Sequence, residues 1–480
     1  MEETFPHADL AIVGATIVTE EWMGQATIVV NEGRVVALVD AAVEVADRPG
    51  TASFWADSII DAAGQVAVPG GVDPHCHVAN KHGEFMTLDD FESASRAALL
   101  GGTTTIVDFA IPAFGQSAVD ALHQKLTLGQ TSRCDYAMHG CITGPEQDPE
   151  GVVARLADEG VRTIKLYTTY RDEVMASIDT IERVMTALKK VDGLAFIHAE
   201  SNELIEAALA AAAHNGTVSA SDMPATRPSA AEENSVAEVL SVAERTNAPV
   251  YFVHQSAPGA VDLIVDARLR GVVAYAESCP HYLTLDETVY EGPHPERYVC
   301  CPPLRDKATV EELNLLLTQG FIDTVGSDHC CYDDAQKSAH AHDVRHMPNG
   351  MPGVETRMEV MWDLLVTQGG LSPTQFVKLT AANPARLCGI YPQKGTLAPG
   401  ADADIVLLDP RATRVLRAGD LHMATDYTPF EGREVTGAVV TVISRGQVVV
   451  ENGKFEDPGA VGRFLPSGPV HPRPSPPPWG

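Results

Sequence analysis

Hydrophobic positions divide the 480-residue chain into two kinds of segment. Near both ends, short β-branched runs are separated by turns that contain glycine, a pattern typical of antiparallel strands. Such runs occupy residues 10–18, 26–33, 34–40, 403–409, 437–446 and 447–453. We expect residues 1–64 and 395–457 to pair into one small, discontinuous β-sandwich domain. The last residues, 458–480, are rich in proline and predict an extended C-terminal arm without regular structure.

Between the two ends, apolar strands alternate with helices whose apolar residues recur every three or four positions. We predict strands at residues 66–72, 103–109, 135–141, 161–167, 194–198, 249–254, 272–277 and 321–327. Eight strands with interleaved helices are what a (β/α)8 TIM barrel requires, so we predict this α/β fold for residues 65–394. The alternative is a doubly wound open sheet, but no G-x-G-x-x-G sequence follows the first strand.

Composition narrows the class of protein. With 34 basic and 65 acidic residues the chain carries a net charge of −31, which would repel nucleic-acid phosphates. The first residues lack the pattern of a secretory signal, and no apolar run is long enough to span a bilayer. The nine cysteines include no C-x-x-C pair, which favours free thiols in a reducing compartment. We therefore expect a cytoplasmic protein with no nucleic-acid or membrane partner.

Metal-binding side chains stand where predicted barrel strands end, which is where barrels of this kind place their active sites. These residues are His75, His77, Lys165, His198, His254 and Asp328. His75 and His77 lie two positions apart in an extended segment and point to the same side. Each residue alone is more often structural, as a hydrogen-bonded histidine, a surface lysine or a turn aspartate. Their joint occurrence at one end of five strands predicts a metal site.

The donor set indicates more than one metal. Imidazole and carboxylate suit zinc, and four histidines with one aspartate exceed the three protein ligands of a single catalytic zinc. Two metals roughly 3.5–4 Å apart need an anionic bridge, for which a protonated Lys165 has the wrong charge. A lysine that has captured carbon dioxide is a carbamate, whose two oxygens are able to bridge. Lys165 in this form would complete a binuclear metal centre.

Several stretches, in their order along the chain, resemble the amidohydrolase superfamily: PGGVDPHCH, TIKLYTTY, FIHAES, YFVHQSA and GSDH. Three more are similar to the D-hydantoinase and dihydropyrimidinase branch: ESCPHYLTLDE, YVCCPPLRDK and NGMPGVETRMEVM. The resemblance covers nearly the whole chain. It implies a cyclic amidohydrolase that opens small cyclic ureides, 5-substituted hydantoins or dihydropyrimidines, to N-carbamoyl amino acids.

The resemblance also assigns the metal ligands position by position. It implies that one metal is held by His75, His77 and Asp328 and the second by His198 and His254, with N6-carboxylysine at Lys165 bridging the two. Zinc is the expected metal, with manganese and cobalt as alternatives. A homotetramer is implied by the resemblance alone.

Four residues are implied to act on the substrate. Tyr170 matches a tyrosine that donates a hydrogen bond to the substrate oxygen as negative charge develops. Asp328 is implied to pass a proton from the attacking hydroxide to the leaving nitrogen. Asn349 matches a residue whose backbone anchors the ring, and a plain turn asparagine before glycine is the alternative interpretation. Cys301 stands where the branch has serine before Pro-Pro, which puts a side-chain role for that serine in doubt.

Two other functions compete with this one. An allantoinase or dihydroorotase would share the metal site, but those families differ around Tyr170 and the NGMPGVE stretch. Dihydroorotate also needs an arginine for its carboxylate, and both Arg305 and Arg357 stand in stretches of the hydantoinase type. A non-enzymatic assembly protein of the dihydropyrimidinase type would have lost the metal ligands, and all of them are present.

Overall fold

A closed β/α barrel occupies the centre of the chain. The architecture is that of a computed structural model, which describes residues 7–48, 54–144, 146–213 and 216–470. The 8 barrel strands are parallel, and each is hydrogen-bonded to the next along the chain. They are Gly71–Cys76, Thr103–Ala110, Asp135–Cys141, Thr163–Tyr167, Leu194–His198, Val250–Phe252, Ala274–Ser278 and Thr324–Val325. The ring closes where Cys76 forms a parallel bridge with His329. The predicted TIM barrel is confirmed.

Helices connect the barrel strands, and Ile178–Lys190 illustrates how the sequence forms them. Val184 and Leu188, four positions apart, are buried on one face, while the Ser177 hydroxyl accepts from the Thr180 N–H at 3.1 Å. A cap of this kind stabilises a helix by about 1 kcal/mol. The α-helices are Phe91–Leu100, Ala118–Gly129, Pro149–Asp158, Ile178–Lys190, Asn202–Ala212, Met223–Thr226, Ser229–Thr246, Pro258–Leu269, Pro280–Thr284, Lys307–Thr318, Asp334–Ser338, Arg357–Trp362, Pro373–Val377 and Asn383–Leu387. Shorter 3₁₀ or π turns span Ala220–Asp222, Glu287–Glu291, Pro295–Tyr298, Val344–His346, Asp363–Gln368, Lys378–Ala382 and Ala418–Asp420.

Both ends of the chain contribute to one 11-stranded sheet. Its strands are His7–Val13, Thr16–Val18, Met23–Asn31, Arg34–Asp40, Val45–Ala46, Phe54–Asp61, Val66–Pro69, Ile405–Val415, Glu434–Ser444, Gln447–Glu451 and Lys454–Phe455. Val66–Pro69 joins the two ends, because it pairs with Thr16–Val18 on one side and with Ile405–Val415 on the other. The small β domain predicted from the two ends is therefore confirmed, while its exact limits stay a prediction. A separate hairpin, Lys81–His82 with Phe85–Met86, lies beyond the first barrel strand.

The strand predicted at 66–72 proves to be parts of two elements. Val66–Pro69 belongs to the terminal sheet, and the barrel strand begins at Gly71. Gly70 stands at the crossing, where a Cβ would lie 2.1 Å from the Thr104 hydroxyl oxygen. Only glycine allows this approach, and the sequence Pro69-Gly70-Gly71 interrupts the apolar run at the point where the chain changes sheets.

The described part of the C-terminal arm lies against the amino ends of the barrel strands. Leu465 N donates to the carbonyl of Tyr136 at 2.8 Å, and Val470 N donates to that of Asp192 at 2.7 Å. Leu465 and Val470 are both buried in a cluster that includes Phe196 of the barrel interior. Residues 471–480, which complete the predicted arm, lie outside the described residues. Across the described ranges, no helix has the length and apolar character needed to cross a membrane.

Candidate active site

Three of the predicted ligands meet at the seam between the first and eighth barrel strands. His75 is next to last in the first strand, His77 follows the end of that strand, and Asp328 lies beyond the eighth. Asp328 Oδ1 lies 3.0 Å from His75 Nε2 and 3.3 Å from His77 Nε2. His75 Nε2 is buried and, apart from its short contact with Asp328, has no hydrogen-bond partner among the described residues, as expected of a nitrogen that shares a cation with that carboxylate. The three side chains fit one divalent metal.

The second donor group is a pair of histidines. His198 ends the fifth strand, and His254 lies two residues beyond the sixth. His198 Nδ1 and His254 Nε2 are 2.9 Å apart. His198 Nε2 donates to Glu200 Oε2 at 2.6 Å, so Nδ1 keeps its lone pair for a metal. The centroids of the His75 and His254 rings are 5.5 Å apart, and the two donor groups are therefore neighbours.

Lys165, on the fourth strand, is a buried lysine close to both donor groups. Its charge affects the pKa values of His75 and His254, one from each group. Within the described ranges no carboxylate lies at ion-pair distance from its amine, which stands 4.8 Å from the centroid of the Phe109 ring. Burial lowers the pKa of Lys165 to about 8, although Asp328 opposes the shift. A lowered pKa increases the fraction of free amine, the form that reacts with carbon dioxide.

Glu277, at the end of the seventh strand, supports a ligand from each donor group. Its Oε1 accepts from His75 Nδ1 at 2.7 Å and from the backbone N–H of His254 at 3.2 Å. Its Oε2 accepts from the Tyr251 hydroxyl at 2.5 Å. Burial would lower the pKa of His75, but Asp328 and Glu277 outweigh burial and raise it to about 9. Two carboxylates around one buried imidazole make a position that attracts a cation in place of the proton.

Glu200 and Arg227 form a second support, behind His198. Arg227 donates to Glu200 Oε2, the same oxygen that accepts from His198. The Arg227 guanidinium also lies 5.0 Å from the centroid of the Tyr170 ring, within cation–π distance. Arg227 thus connects a predicted metal ligand with the tyrosine predicted to contact substrate.

A buried aspartate–lysine pair fixes the chain immediately after His77. Asp108 Oδ1 accepts from the backbone N–H of Val78 at 3.1 Å and from the Asn80 amide at 3.2 Å. Asp108 Oδ2 accepts from Lys125 at 2.7 Å, and Lys125 donates as well to the Val78 carbonyl. Because Val78 follows His77 directly, this network holds the backbone of that ligand.

Tyr170 stands beside the second donor group, with its ring centroid 5.4 Å from that of His198. Its backbone is left-handed, with φ of 66°, and so are those of His254 at 43° and Asp328 at 48°. Such conformations are uncommon for residues other than glycine and concentrate at functional sites. The Cys301 thiol interacts with the Tyr170 hydroxyl, and burial raises the pKa of both groups, to about 11 for Cys301.

Asn349 lies on a loop joined to the segment that leads to Cys301. Gly350 N donates to the Val299 carbonyl at 3.0 Å. The Asn349 side-chain oxygen is buried without a hydrogen-bond partner among the described residues. The structure therefore brings Tyr170 and Cys301 into contact and connects Asn349 to them through the backbone of its neighbour.

The two arginines considered for a substrate carboxylate are engaged elsewhere. Arg305 donates to Glu232 at 2.5 Å and to the Ser256 hydroxyl at 3.0 Å. Arg357 is fully buried and donates to the Val325 carbonyl at 3.0 Å. Both guanidinium groups are therefore engaged in contacts within the protein and do not face a substrate carboxylate.

Sequence reasoning missed the residues that support the ligands, namely Asp108, Lys125, Glu200, Arg227 and Glu277. A signal existed for two of them. Glu200 follows the fifth strand and Glu277 is next to last in the seventh, so both occupy the kind of position from which the ligands were predicted. Nothing in the sequence points to the role of Arg227.

Comparisons with known proteins show which family the chain is similar to. The amidohydrolase family profile matches residues 66–449. The chain is 35% identical over 461 residues to a D-hydantoinase of Geobacillus stearothermophilus, covering 95% of each protein. It is 34% identical over 470 residues to a dihydropyrimidinase of Rattus norvegicus, covering 97% of this chain and 90% of that one. The crystal structure of dihydropyrimidinase from Brevibacillus agri superimposes with a TM-score of 0.91 at 34% identity, covering 96% of this chain and 99% of that one.

A parallel barrel with metal donors at the carboxyl ends of its strands, matched by the family profile over most of its length, defines the class: the chain belongs to the amidohydrolase family. Within that family it belongs with the D-hydantoinases and dihydropyrimidinases and is a cyclic amidohydrolase. The resemblance seen in the sequence is confirmed.

Proposed function

We propose that the chain hydrolyses the cyclic amide bond of 5-substituted hydantoins and dihydropyrimidines and releases N-carbamoyl amino acids. The observation that carries this proposal is the pair of adjacent donor groups beside buried Lys165, at the carboxyl end of the barrel. The relatives named D-hydantoinase and dihydropyrimidinase support the same substrate class.

Two divalent metals suit these donors. In the proposed centre one metal would be held by His75, His77 and Asp328 and the second by His198 and His254, and Lys165 as N6-carboxylysine would bridge them. Zinc suits imidazole and carboxylate, and manganese or cobalt are alternatives. When bound, the metals would supply Lewis-acid polarisation of the substrate carbonyl and would lower the pKa of a bound water.

The chain's own residues handle the proton and the developing charge. Burial would raise the pKa of Asp328, but its interactions with His75 and His77 outweigh burial and hold the pKa well below its usual range. Asp328 is therefore ionised at rest, and it takes the proton of the attacking water and delivers it to the ring nitrogen as the C–N bond breaks. Burial raises the pKa of Tyr170, so its hydroxyl keeps a proton to donate to the oxyanion.

The ring itself is held in this proposal by the backbone near Cys301 and Asn349. A backbone contact is unaffected by cysteine in place of serine. The thiol is a weaker donor than a hydroxyl, so we expect any side-chain hydrogen bond to the ring to be weaker in this chain.

The alternatives have less support. For a dihydroorotase, the engagement of Arg305 and Arg357 within the protein counts against recognition of a substrate carboxylate. An allantoinase remains the alternative to be tested by substrate. The retained donor set counts against a non-enzymatic assembly protein.

We also propose a homotetramer that works in the cytoplasm. The tetramer rests on the resemblance to the hydantoinase branch. The compartment is supported by the cysteines, which in the described residues are all buried and free of disulfides.

A variant series with four ring substrates tests the proposal. Protein loaded with zinc or manganese and bicarbonate is incubated with dihydrouracil, a 5-substituted hydantoin, allantoin and dihydroorotate. We expect the first two to gain one water, Asp328→Ala to abolish turnover, and Tyr170→Phe to reduce it roughly 100-fold. Turnover of allantoin or dihydroorotate alone would move the chain to an alternative function, and an active Asp328→Ala would refute the assigned roles.

A further inference from the structure

Lys337 is a fully buried lysine that the reaction described above does not use. It lies in the short helix Asp334–Ser338. Its ammonium donates to the carbonyl of Val299 at 2.8 Å and to the carbonyl of Pro348 at 2.9 Å. Among the described residues no carboxylate lies within ion-pair distance of this nitrogen. Its charge is therefore stabilised by the dipoles of the two carbonyls and by the Tyr332 ring, whose centroid is 5.8 Å away.

The two carbonyls that accept from Lys337 belong to the two segments proposed to hold the ring. Val299 precedes Cys301 by two residues, and Pro348 directly precedes Asn349. The Val299 carbonyl also accepts from Gly350 N at 3.0 Å. One ammonium group and one backbone hydrogen bond thus set the distance between these segments.

The helix that carries Lys337 is itself held in place. Arg297 Nε donates to Asp334 at 2.6 Å, and the Gln336 amide donates to the Met86 carbonyl of the hairpin at 2.9 Å. The ammonium is therefore presented from a fixed support. The segments of Val299 and Pro348 are positioned relative to it.

Stability gives little reason for a lysine at this position. An ammonium without a counter-ion is costly to bury, and an apolar side chain of similar volume avoids that cost. We propose that Lys337 is a positioning residue that fixes the backbone on both sides of the cyclic ureide ring and so determines how tightly the ring binds. This inference rests on the proposed function.

A pH dependence follows from the surroundings of Lys337. The groups that face the Lys337 ammonium are the thiols of Cys300, Cys301 and Cys330 and the ring of Tyr332. The Glu296 carboxylate acts on it from further away. Burial lowers the pKa of Lys337 to about 8. The charge is present below that pH and is lost as the pH rises through it. Hydrogen bonds from a charged donor are stronger than those from a neutral one, so substrate binding weakens on the alkaline side.

The test measures kcat and KM for a 5-substituted hydantoin or dihydrouracil from pH 6.5 to 9.5 on the metal-loaded protein. The variants are Lys337→Met, which removes the donor, and Lys337→Gln, which keeps a neutral one. Lys394→Met is the matched control, because Lys394 is another buried lysine, which donates to Asp135 and Asp404, and its loss leaves both carbonyl hydrogen bonds of Lys337 in place. Thermal unfolding of each variant is recorded alongside.

We expect Lys337→Met to raise KM about tenfold and to change kcat by less than about threefold. A tenfold change corresponds to about the free energy of one hydrogen bond from a charged donor, which no longer holds the ring-binding backbone in place. Lys337→Gln should fall between Lys337→Met and the unmodified protein. The KM of the unmodified protein should rise above pH 8, and that rise should be absent from Lys337→Met. The inference is overturned if Lys337→Met keeps both KM and its pH dependence, or if Lys394→Met raises KM equally. An unmodified protein that opens no cyclic ureide would count against the proposed function, not specifically against Lys337.

Discussion

Glu277→Gln is the substitution that tests most sharply whether the two donor groups form one metal centre. The carboxylate accepts from His75 Nδ1 at 2.7 Å and from the backbone of His254 at 3.2 Å, and both Glu277 and His75 are fully buried. Glutamine keeps the shape of the side chain and removes its charge. This single substitution should therefore weaken metal binding by both donor groups.

The size of the effect follows from the hydrogen bonds. Hydrogen bonds to a charged group contribute about 1.5–3 kcal/mol, and loss of that charge forfeits much of one such bond to His75. Each 1.4 kcal/mol is a factor of ten, so metal affinity should fall about 10- to 100-fold, as is typical for partners of metal-ligating histidines.

The assay is a titration of metal-free protein with zinc against a chromophoric chelator. Glu359→Gln is the control, since Glu359 is also a buried glutamate, paired with Arg414 beside the terminal sheet. We expect Glu359→Gln to lower stability and to leave zinc affinity unchanged. Affinity in Glu277→Gln within twofold of the unmodified protein would refute the argument that Glu277 orients the ligands.

Two further predictions concern Arg227 and the thiols. Arg227→Met should lower kcat about 10- to 100-fold because Glu200 loses its partner, and kcat of Arg227→Lys should lie between that of Arg227→Met and that of the unmodified protein. The control is Arg268→Met, which breaks a buried ion pair at the opposite end of the barrel and should lower thermal stability while kcat stays within threefold. Equal losses of kcat in Arg227→Met and Arg268→Met would contradict a specific role of Arg227. Because burial raises the pKa of Cys301 to about 11, iodoacetamide should label the native protein slowly at pH 7.5 and faster toward pH 10. Peptide mass spectrometry detects the label, and rapid modification of Cys301 at pH 7.5 would show that its thiol is not held protonated.

The barrel and the candidate ligand positions could be read from the sequence because both leave local traces. Strands and helices have different hydrophobic periods, and His198 or Asp328 stands out as a polar residue where an apolar run stops. The transition at Gly70 was missed although Pro69-Gly70-Gly71 interrupts the apolar run, because such a break does not say that the next residues join another sheet; the pairing of the two strands and the close approach to Thr104 reveal that change.

The supporting residues could not be predicted for a different reason. Glu277 and His75 are 202 positions apart, and nothing local in the sequence pairs them. Arg227 follows a short helix with no pattern of its own, and its contact with Glu200 joins residues 27 positions apart. Lys337 looks like a surface lysine in a polar stretch, and its complete burial depends on the packing of its helix against the segments of Val299 and Pro348.

The central claim is that this chain opens a cyclic ureide by adding water to its amide bond. The direct test incubates the metal-loaded protein with dihydrouracil or a 5-substituted hydantoin in ¹⁸O-labelled water and determines the mass of the product by mass spectrometry. The account predicts an N-carbamoyl amino acid with one heavy oxygen, in the new carboxylate, and no product from Lys165→Ala. An unchanged ring in the presence of two bound metals would contradict it.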